Sequence, residues 1–129
     1  MTEQQIIETL ATKVMGWEQK NLPNNDAGLP YYAEYWVNDE GLKIKPVNFW
    51  NPFHSLTDAF QVVDKLLGHF YLFELMSNED GWIATFKLVD GNFIYPKEWE
   101  GAGETREQAI CNAAMKVVAL KKEDSNVKF

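Results

Sequence analysis

The sequence predicts an α+β domain, folded as a three-layer α/β/α sandwich around a small antiparallel sheet. Two apolar stripes recur at helical spacing, one near each end of the first half of the chain. Three strand-like segments follow one another between residues 70 and 95 instead of alternating with helices, which is typical of α+β folds. A third helix, near the end of the sequence, has an alanine-rich face that suits close contact with a flat sheet. The predicted order is α-(ββ)-α-β-β-β-α.

The first helix is predicted over residues 3–17. Thr2 and Gln5 have the spacing of a capping box, and apolar residues recur on one face of the segment. Residues 21–30 are rich in Asn, Pro and Gly, which indicates a loop.

A short hairpin and a second helix follow that loop. Residues 31–37 favour an extended conformation, and the turn formers at 38–41 return the chain into residues 42–45. Residues 56–67 place their apolar side chains on one helical face, and Gly68 is a stop signal.

Three consecutive strands are predicted next. Residues 70–76 are apolar at nearly every position, which predicts that both faces of this strand are covered and that it is the centre of the sheet. Residues 82–89 alternate, and a tight Asp-Gly turn at 90–91 leads to a strand at 93–95. Pro96 is expected to end the pairing.

The closing helix is predicted over residues 106–121. Thr105 and Gln108 form its capping box, and Ala113 and Ala114 lie on its apolar face. Small residues there predict a helix pressed against the sheet, so a Phe at either alanine is expected to destabilise the fold.

Length, net charge and cysteine content limit which partners and which cellular compartment we expect for this protein. The 129 residues fit one domain, predicted over 1–122, with a polar tail over 123–129. The formal net charge of -7 repels phosphate backbones, so no nucleic-acid binding is expected. Cys111 is the single cysteine, which excludes an internal disulfide and favours a reducing compartment. Neither a signal-peptide pattern nor a membrane-length apolar run occurs, so we expect a cytoplasmic protein that binds no membrane.

Four segments of the sequence resemble the phage ABA sandwich domain family. They are Leu10 to Trp17, Tyr35 to Val37 with Asp39 to Gly41, Asn51 and Pro52 with Asp58 to Leu66, and Trp82 to Phe86 together with Ala109 to Ala114. Residues 53–56 depart from the family pattern. The resemblance implies a three-layer fold and an origin in a phage or prophage, with a bacterial host cell as the compartment. It implies no activity, because no function or catalytic residue is established for the family.

The outline of the last strands and helix is also similar to a double-stranded-RNA-binding domain. Those domains place basic residues at the start of the last helix. Here that position carries Arg106 beside Glu104 and Glu107, so the charge has the wrong sign and RNA binding is rejected.

No residue pattern nominates a catalytic, cofactor or metal site. His54 and His69 lie fifteen residues apart and belong to no ligand motif. Cys111 lies among Ala and Ile, which favours a buried small hydrophobe over a nucleophile. The carboxylate pairs at 39–40 and 79–80 lie in predicted turns.

Aromatic residues are concentrated between positions 31 and 53. If the protein has a binding site, we expect it there, with Tyr32, Tyr35, Trp36 and Trp50 as contacts to a partner or ligand. The competing interpretation is that these rings are buried as part of the core.

The function predicted first is a non-enzymatic accessory protein that contacts a host or phage protein, with a homo-oligomer as a further option. The alternative is a pocket protein that sequesters a small molecule such as a nucleotide, which would bring Lys43, Lys45 or Lys97 beside the aromatic rings. A third option is an unrecognised hydrolase, which requires carboxylates converging in a cleft.

Overall fold

The structure is a computed structural model that describes residues 1–24, 31–69, 71–88 and 97–123. Over these residues the chain forms three α-helices and two three-stranded antiparallel sheets. In chain order the elements are α1 (Glu3–Thr9) continued by a π-helical turn (Leu10–Val14), β1 (Glu18–Asn24), β2 (Tyr31–Val37), β3 (Lys43–Pro46), a 3-10 helix (Val47–Phe49), α2 (Leu56–Leu67), β4 (Tyr71–Asn78), β5 (Gly81–Leu88), β6 (Glu98–Gly103) and α3 (Arg106–Glu123).

The first helix begins with the predicted capping box. The Gln5 amide donates to Thr2 Oγ1 at 3.2 Å, and the Thr2 amide donates to Gln5 Oε1 at 2.8 Å. The helical segment ends three residues before the predicted boundary, because Gly16 takes a left-handed conformation at φ 75°. The π-helical turn turns the chain toward β1, and the Trp17 amide donates to the Ala11 carbonyl at 2.9 Å.

The first sheet has the order β1-β2-β3. Residues 31–37 and 43–46 form the predicted hairpin, closed by amides that donate to the Asn38 side chain. The prediction of a loop from residue 21 is wrong as far as residue 24, because β1 pairs with β2 from Glu18 opposite Val37 to Asn24 opposite Tyr31. Polar residues and Pro23 hide this strand in the sequence, and its edge position tolerates the proline.

The second sheet has the order β4-β5-β6, so β5 is its central strand. The prediction that residues 70–76 form the centre is therefore wrong, since β4 is an edge strand. The third strand predicted at 93–95 lies outside the described residues. The third strand that the structure describes is β6, which the sequence analysis did not predict, because its glycines lower strand propensity.

Glycines in β6 let α3 approach the second sheet. A Cβ at Gly101 would stand 2.7 Å from Ala113 Cα, and one at Gly103 would stand 2.6 Å from the Ala109 amide nitrogen. Ala109, Ala113 and Gly101 are all buried, so backbone meets backbone at this contact. The predicted close packing of the alanine-rich face on a sheet is confirmed.

Helix α2 begins and ends where predicted, with Ser55 Oγ accepting from the Asp58 amide at 3.3 Å and Gly68 as its C-cap. The fully buried core joins the helices to both sheets. Its largest members are Trp36, Trp50, Phe86, Leu10, Leu66 and Ile110.

The predicted single sheet is wrong in one further respect. The strands form two sheets, and β1 adds a strand to the predicted order. Along β4 the side chains alternate, and the outward Leu72 and Met76 are 55% and 61% exposed. The prediction that both faces of residues 70–76 are covered therefore fails for the monomer, because no helix in the described part of the chain packs on that side.

Candidate functional site

The four aromatic residues predicted as contacts do not share a surface. Tyr35, Trp36 and Trp50 are 5%, 1% and 1% exposed, and only Tyr32 is open to solvent. The rings of Trp36 and Trp50 flank Trp17, with centroids 6.5 Å and 5.0 Å from it. For these three residues the structure agrees with the competing interpretation of burial in the core.

The two buried indoles differ in their polar contacts. Trp50 Nε1 donates to Gln61 Oε1 of α2 at 2.7 Å. Trp36 Nε1 is buried and has no acceptor among the described residues. The first contact ties the segment after β3 to α2, as expected of a packed anchor rather than a ligand contact.

Of the three lysines considered for a nucleotide pocket, one lies beside a ring of the aromatic segment. Lys43 Nζ stands over the Tyr35 ring, 4.1 Å from its centroid. Lys45 Nζ instead lies 3.4 Å from a carboxylate oxygen of the buried Asp58. Lys97 lies directly before β6 of the second sheet, and its carbonyl accepts from the Leu88 amide at 3.0 Å.

A hollow of about 570 Å³ lies between the start of α1 and the first sheet. Its lining is polar and aromatic: Gln4, Gln19, Ala33, Glu34, Tyr35, Pro46, Val47, Asn48 and Phe49. Phe49 is 73% exposed at its rim. This lining contains one carboxylate and three amides but no lysine or arginine, so it suits the uncharged part of a ligand better than a phosphate.

Acidic side chains line a separate hollow of about 400 Å³ at the end of the first sheet. Glu18, Asp39 and Glu40 contribute to it, and all three are exposed to water. Lys20 Nζ lies 3.8 Å from Glu18. The other predicted carboxylate pair, at residues 79–80, lies in the turn between β4 and β5, also in water.

The nucleophilic and metal-ligating side chains show no assembled centre in the part of the chain that the structure describes. Burial, with the negative charges of Glu107 and Glu3, raises the pKa of the Cys111 thiol to about 12. His54 Nε2 lies 2.6 Å from Glu3 at the surface. The described residues include no group of three or more His, Cys, Asp or Glu arranged to hold a metal ion. The same residues contain no helix that is long and apolar enough to span a membrane.

The outer face of the second sheet is a surface that sequence reasoning missed. We call it the open face, and it consists of three cross-strand rows. The rows are Leu72–Lys87–Glu98, Glu74–Thr85–Glu100 and Met76–Ile83–Ala102. Two exposed apolar side chains of β4 thus flank a carboxylate on this face, while Thr85 at the centre of the rows is 8% exposed.

A signal for the open face was present in the sequence. Glu74 interrupts the apolar run of residues 70–76 at its centre, and a carboxylate is expensive to bury on a covered strand. In the structure its side chain points outward and lies 2.9 Å from Lys87 Nζ. The charge therefore indicated which face of the strand meets water.

The two edge strands of the second sheet differ in their hydrogen bonding. Along β6, Asn112 Nδ2 of α3 donates to the Ala102 carbonyl at 2.8 Å, and Lys116 Nζ donates to the Glu100 carbonyl. Along β4, no described residue outside β5 donates to or accepts from the backbone between Leu72 and Met76. One edge is occupied by helix side chains, and the other presents strand backbone.

Comparison with known proteins gives one match. The family model of the phage ABA sandwich domain matches residues 8–115. No curated protein and no solved structure gives a significant match. The matched residues include both sheets, all of α2, the end of α1 and the first half of α3, and they cover the four segments on which the resemblance was noted. The chain belongs to the phage ABA sandwich domain family.

Proposed function

We propose that this member of a phage-associated family is an accessory protein that acts by binding another protein, of the host or of the phage, rather than by catalysis. The observation that supports this proposal is the open face of the second sheet. It joins exposed apolar side chains to a polar rim, the combination that marks protein contact surfaces.

The open face exposes apolar surface that a partner can bury. Leu72 and Met76 project from β4, and Ile83 lies beside Met76 in the next strand. Leu72 and Met76 are 55% and 61% exposed, so covering either one with a partner contributes about 1 kcal/mol through the hydrophobic effect. Three adjacent side chains are enough to form the centre of a small interface.

The open face is also held rigid before any partner arrives. Its strands pair along their whole registered length, and α3 presses on the reverse side through Gly101 and Gly103. Rigid surfaces lose little conformational entropy on binding, so more of the contact energy becomes affinity.

The test compares the wild type with the double variant Leu72→Glu/Met76→Glu. Each protein is tagged, captured from infected cells and analysed by mass spectrometry, and the partner is then purified for direct titration. We expect the double variant to bind that purified partner at least about tenfold more weakly, a loss of about 1.4 kcal/mol.

Leu42→Glu is the matched control, because Leu42 is 58% exposed and lies outside the second sheet. It should leave the affinity unchanged. Equal affinity of the wild type and the double variant would contradict the proposal that the open face is the contact.

A second candidate function is sequestration of a small molecule in the hollow beside the first sheet. Its volume of about 570 Å³ falls within the range of ligand pockets, and the Tyr35 and Phe49 rings lie beside three amides. Because the lining of this hollow contains no lysine or arginine, we propose that the hollow holds an uncharged planar part of the ligand, such as a nucleobase.

Calorimetric titration with nucleosides and with the corresponding nucleotides tests this second function. Binding of a nucleoside that is weakened by Phe49→Ala, but not by Phe60→Ala on α2, is the expected result. The two phenylalanines are both partly exposed, so the pair controls for general loss of surface area. Absence of nucleoside binding by the wild type would remove this candidate.

A further inference from the structure

We infer that the partner supplies a β-strand that pairs with the free edge of β4, and that this strand combines apolar with basic side chains. The inference rests on the proposed function, since it uses the same open face, and it specifies the chemistry of the partner. Strand addition to an exposed edge is a common mode of peptide recognition.

The geometry of the two edges carries the first step. Strand β4 is eight residues long, and among the described residues its outer backbone groups between Leu72 and Met76 find no partner. At the opposite edge, Asn112 and Lys116 already bond to the carbonyls of β6. Within the second sheet an added strand therefore has one place to pair, and pairing there satisfies backbone groups that otherwise depend on water.

The side chains of β4 specify what the added strand carries on each side. Leu72, Glu74 and Met76 alternate on the open face, so residues opposite them match best as apolar, basic and apolar. The other side of β4 carries Phe73, whose ring meets that of Phe60 at a centroid distance of 6.1 Å. Phe60 is itself 37% exposed, so an apolar residue on that side of the added strand has a ring to cover.

Charge excludes a second copy of this chain as the best occupant. Glu74, Glu98 and Glu100 share the open face with Lys87 alone, which leaves three negative charges against one positive. Lys87 is already placed between Glu74 at 2.9 Å and Glu98 at 3.7 Å. Two such faces brought together would repel, whereas lysine or arginine from a different protein would be attracted.

The experiment uses the full-length protein and two synthetic probes. The first is a capped nine-residue peptide with valine at every odd position, and with leucine and lysine in turn at the even positions. The second peptide has glutamate in place of each lysine. Affinity is measured by titration, and backbone amide hydrogen exchange is followed by NMR with and without saturating peptide.

The lysine peptide is expected to bind and to slow exchange of outward-facing β4 amides by about tenfold or more, while amides of β6 remain unchanged. The glutamate peptide should bind at least about tenfold more weakly. Glu74→Lys should weaken the lysine peptide to a similar extent. Glu40→Lys makes the same charge change in the turn after β2, and it should alter affinity less than about twofold.

The opposite outcomes would overturn the inference. One is binding of the lysine peptide that leaves hydrogen exchange of the β4 amides unchanged. Another is an equal loss of peptide affinity in Glu74→Lys and Glu40→Lys. A third is a dimer of this chain that slows exchange of the β4 amides. The partner captured in the preceding test separates the two proposals. A partner that needs Leu72 and Met76 but leaves β4 exchange unchanged refutes strand addition alone. A partner that binds the double variant normally refutes the proposed function itself.

Discussion

The two sheets of this protein join the core in different ways. Around the first sheet the space is filled by large rings, with Trp17, Trp36 and Trp50 in mutual contact. Beneath the second sheet, Gly101 and Ala113 bring β6 and α3 into backbone contact, and the rings of Tyr71 and Phe86 pack beside that narrow contact. The rings beside the first sheet mark a wide gap between elements, which only large side chains can fill. The surface available for contact belongs instead to the second sheet, which a helix covers on one side only.

Removing a ring from the wide gap should have the largest effect. Trp50→Ala is expected to lower the free energy of unfolding by about 3–5 kcal/mol, because the cavity cannot close around so large a deletion. Chemical denaturation followed by circular dichroism measures this loss. A change below about 1 kcal/mol would mean that the ring is not part of the core.

Replacing each of the two buried tryptophans by phenylalanine tests the contribution of the indole N–H group. Trp50→Phe removes a hydrogen bond to Gln61, whereas Trp36 Nε1 has no acceptor among the described residues. We therefore expect Trp50→Phe to cost about 1 kcal/mol more than Trp36→Phe. Equal costs would contradict this difference between the two indoles.

Adding a methyl group to the narrow contact should have the next largest effect. Gly101→Ala places Cβ 2.7 Å from Ala113 Cα, so α3 must move away from β6. A loss of about 1–3 kcal/mol or more is expected from this overpacking. Gly68→Ala is the control, because its Cβ would meet the Lys65 carbonyl at an acceptable 3.4 Å, and its thermal midpoint should change far less.

The buried thiol on α3 reports on folding through pH. The pKa of Cys111 is raised to about 12 from 9.0, so the folded state keeps a proton that the unfolded chain loses. Its contribution to stability is complete below pH 9 and is lost as pH rises toward 12. Relative to Cys111→Ala, the wild type should lose about 1 kcal/mol between pH 7 and pH 10.

Denaturation at a series of pH values measures that difference. Native protein at pH 8 should also react slowly with a thiol reagent, and unfolded protein should react rapidly. Parallel stability curves for the wild type and Cys111→Ala would show that the thiol titrates normally.

Charges placed on the open face should have the smallest effect on folding. Leu72→Glu exchanges a side chain that is already more than half exposed, so the free energy of unfolding should change by less than about 0.5 kcal/mol. Thermal denaturation checks this value. A large loss would indicate that Leu72 is covered in the native protein and would argue against a contact surface there.

Local patterns in the sequence predicted the helices well. The capping box at Thr2, the stop at Gly68 and the alanines of α3 each depend on neighbours within a turn of helix, and each is present. Strands β1 and β6 were missed because their pairing is not local. Pro23 and Gly101 disfavour a strand by themselves, and only the partner strand or the approaching helix explains them.

The candidate site was harder to predict for a related reason. Composition shows that rings are concentrated in residues 31–53, but exposure depends on which elements lie above them. Tyr32 and Tyr35 are three residues apart on one strand, and the first is 67% exposed while the second is 5% exposed. The open face shows no motif because its rows combine residues from three strands.

The bonds that Asn112 and Lys116 make to β6 have a consequence for stoichiometry. A sheet with two free edges can add strands at both ends, and repeated addition produces filaments. With one edge of the second sheet occupied, that sheet can add a strand at one end only, and addition there stops at two chains. Such addition gives a discrete complex instead of a growing fibre.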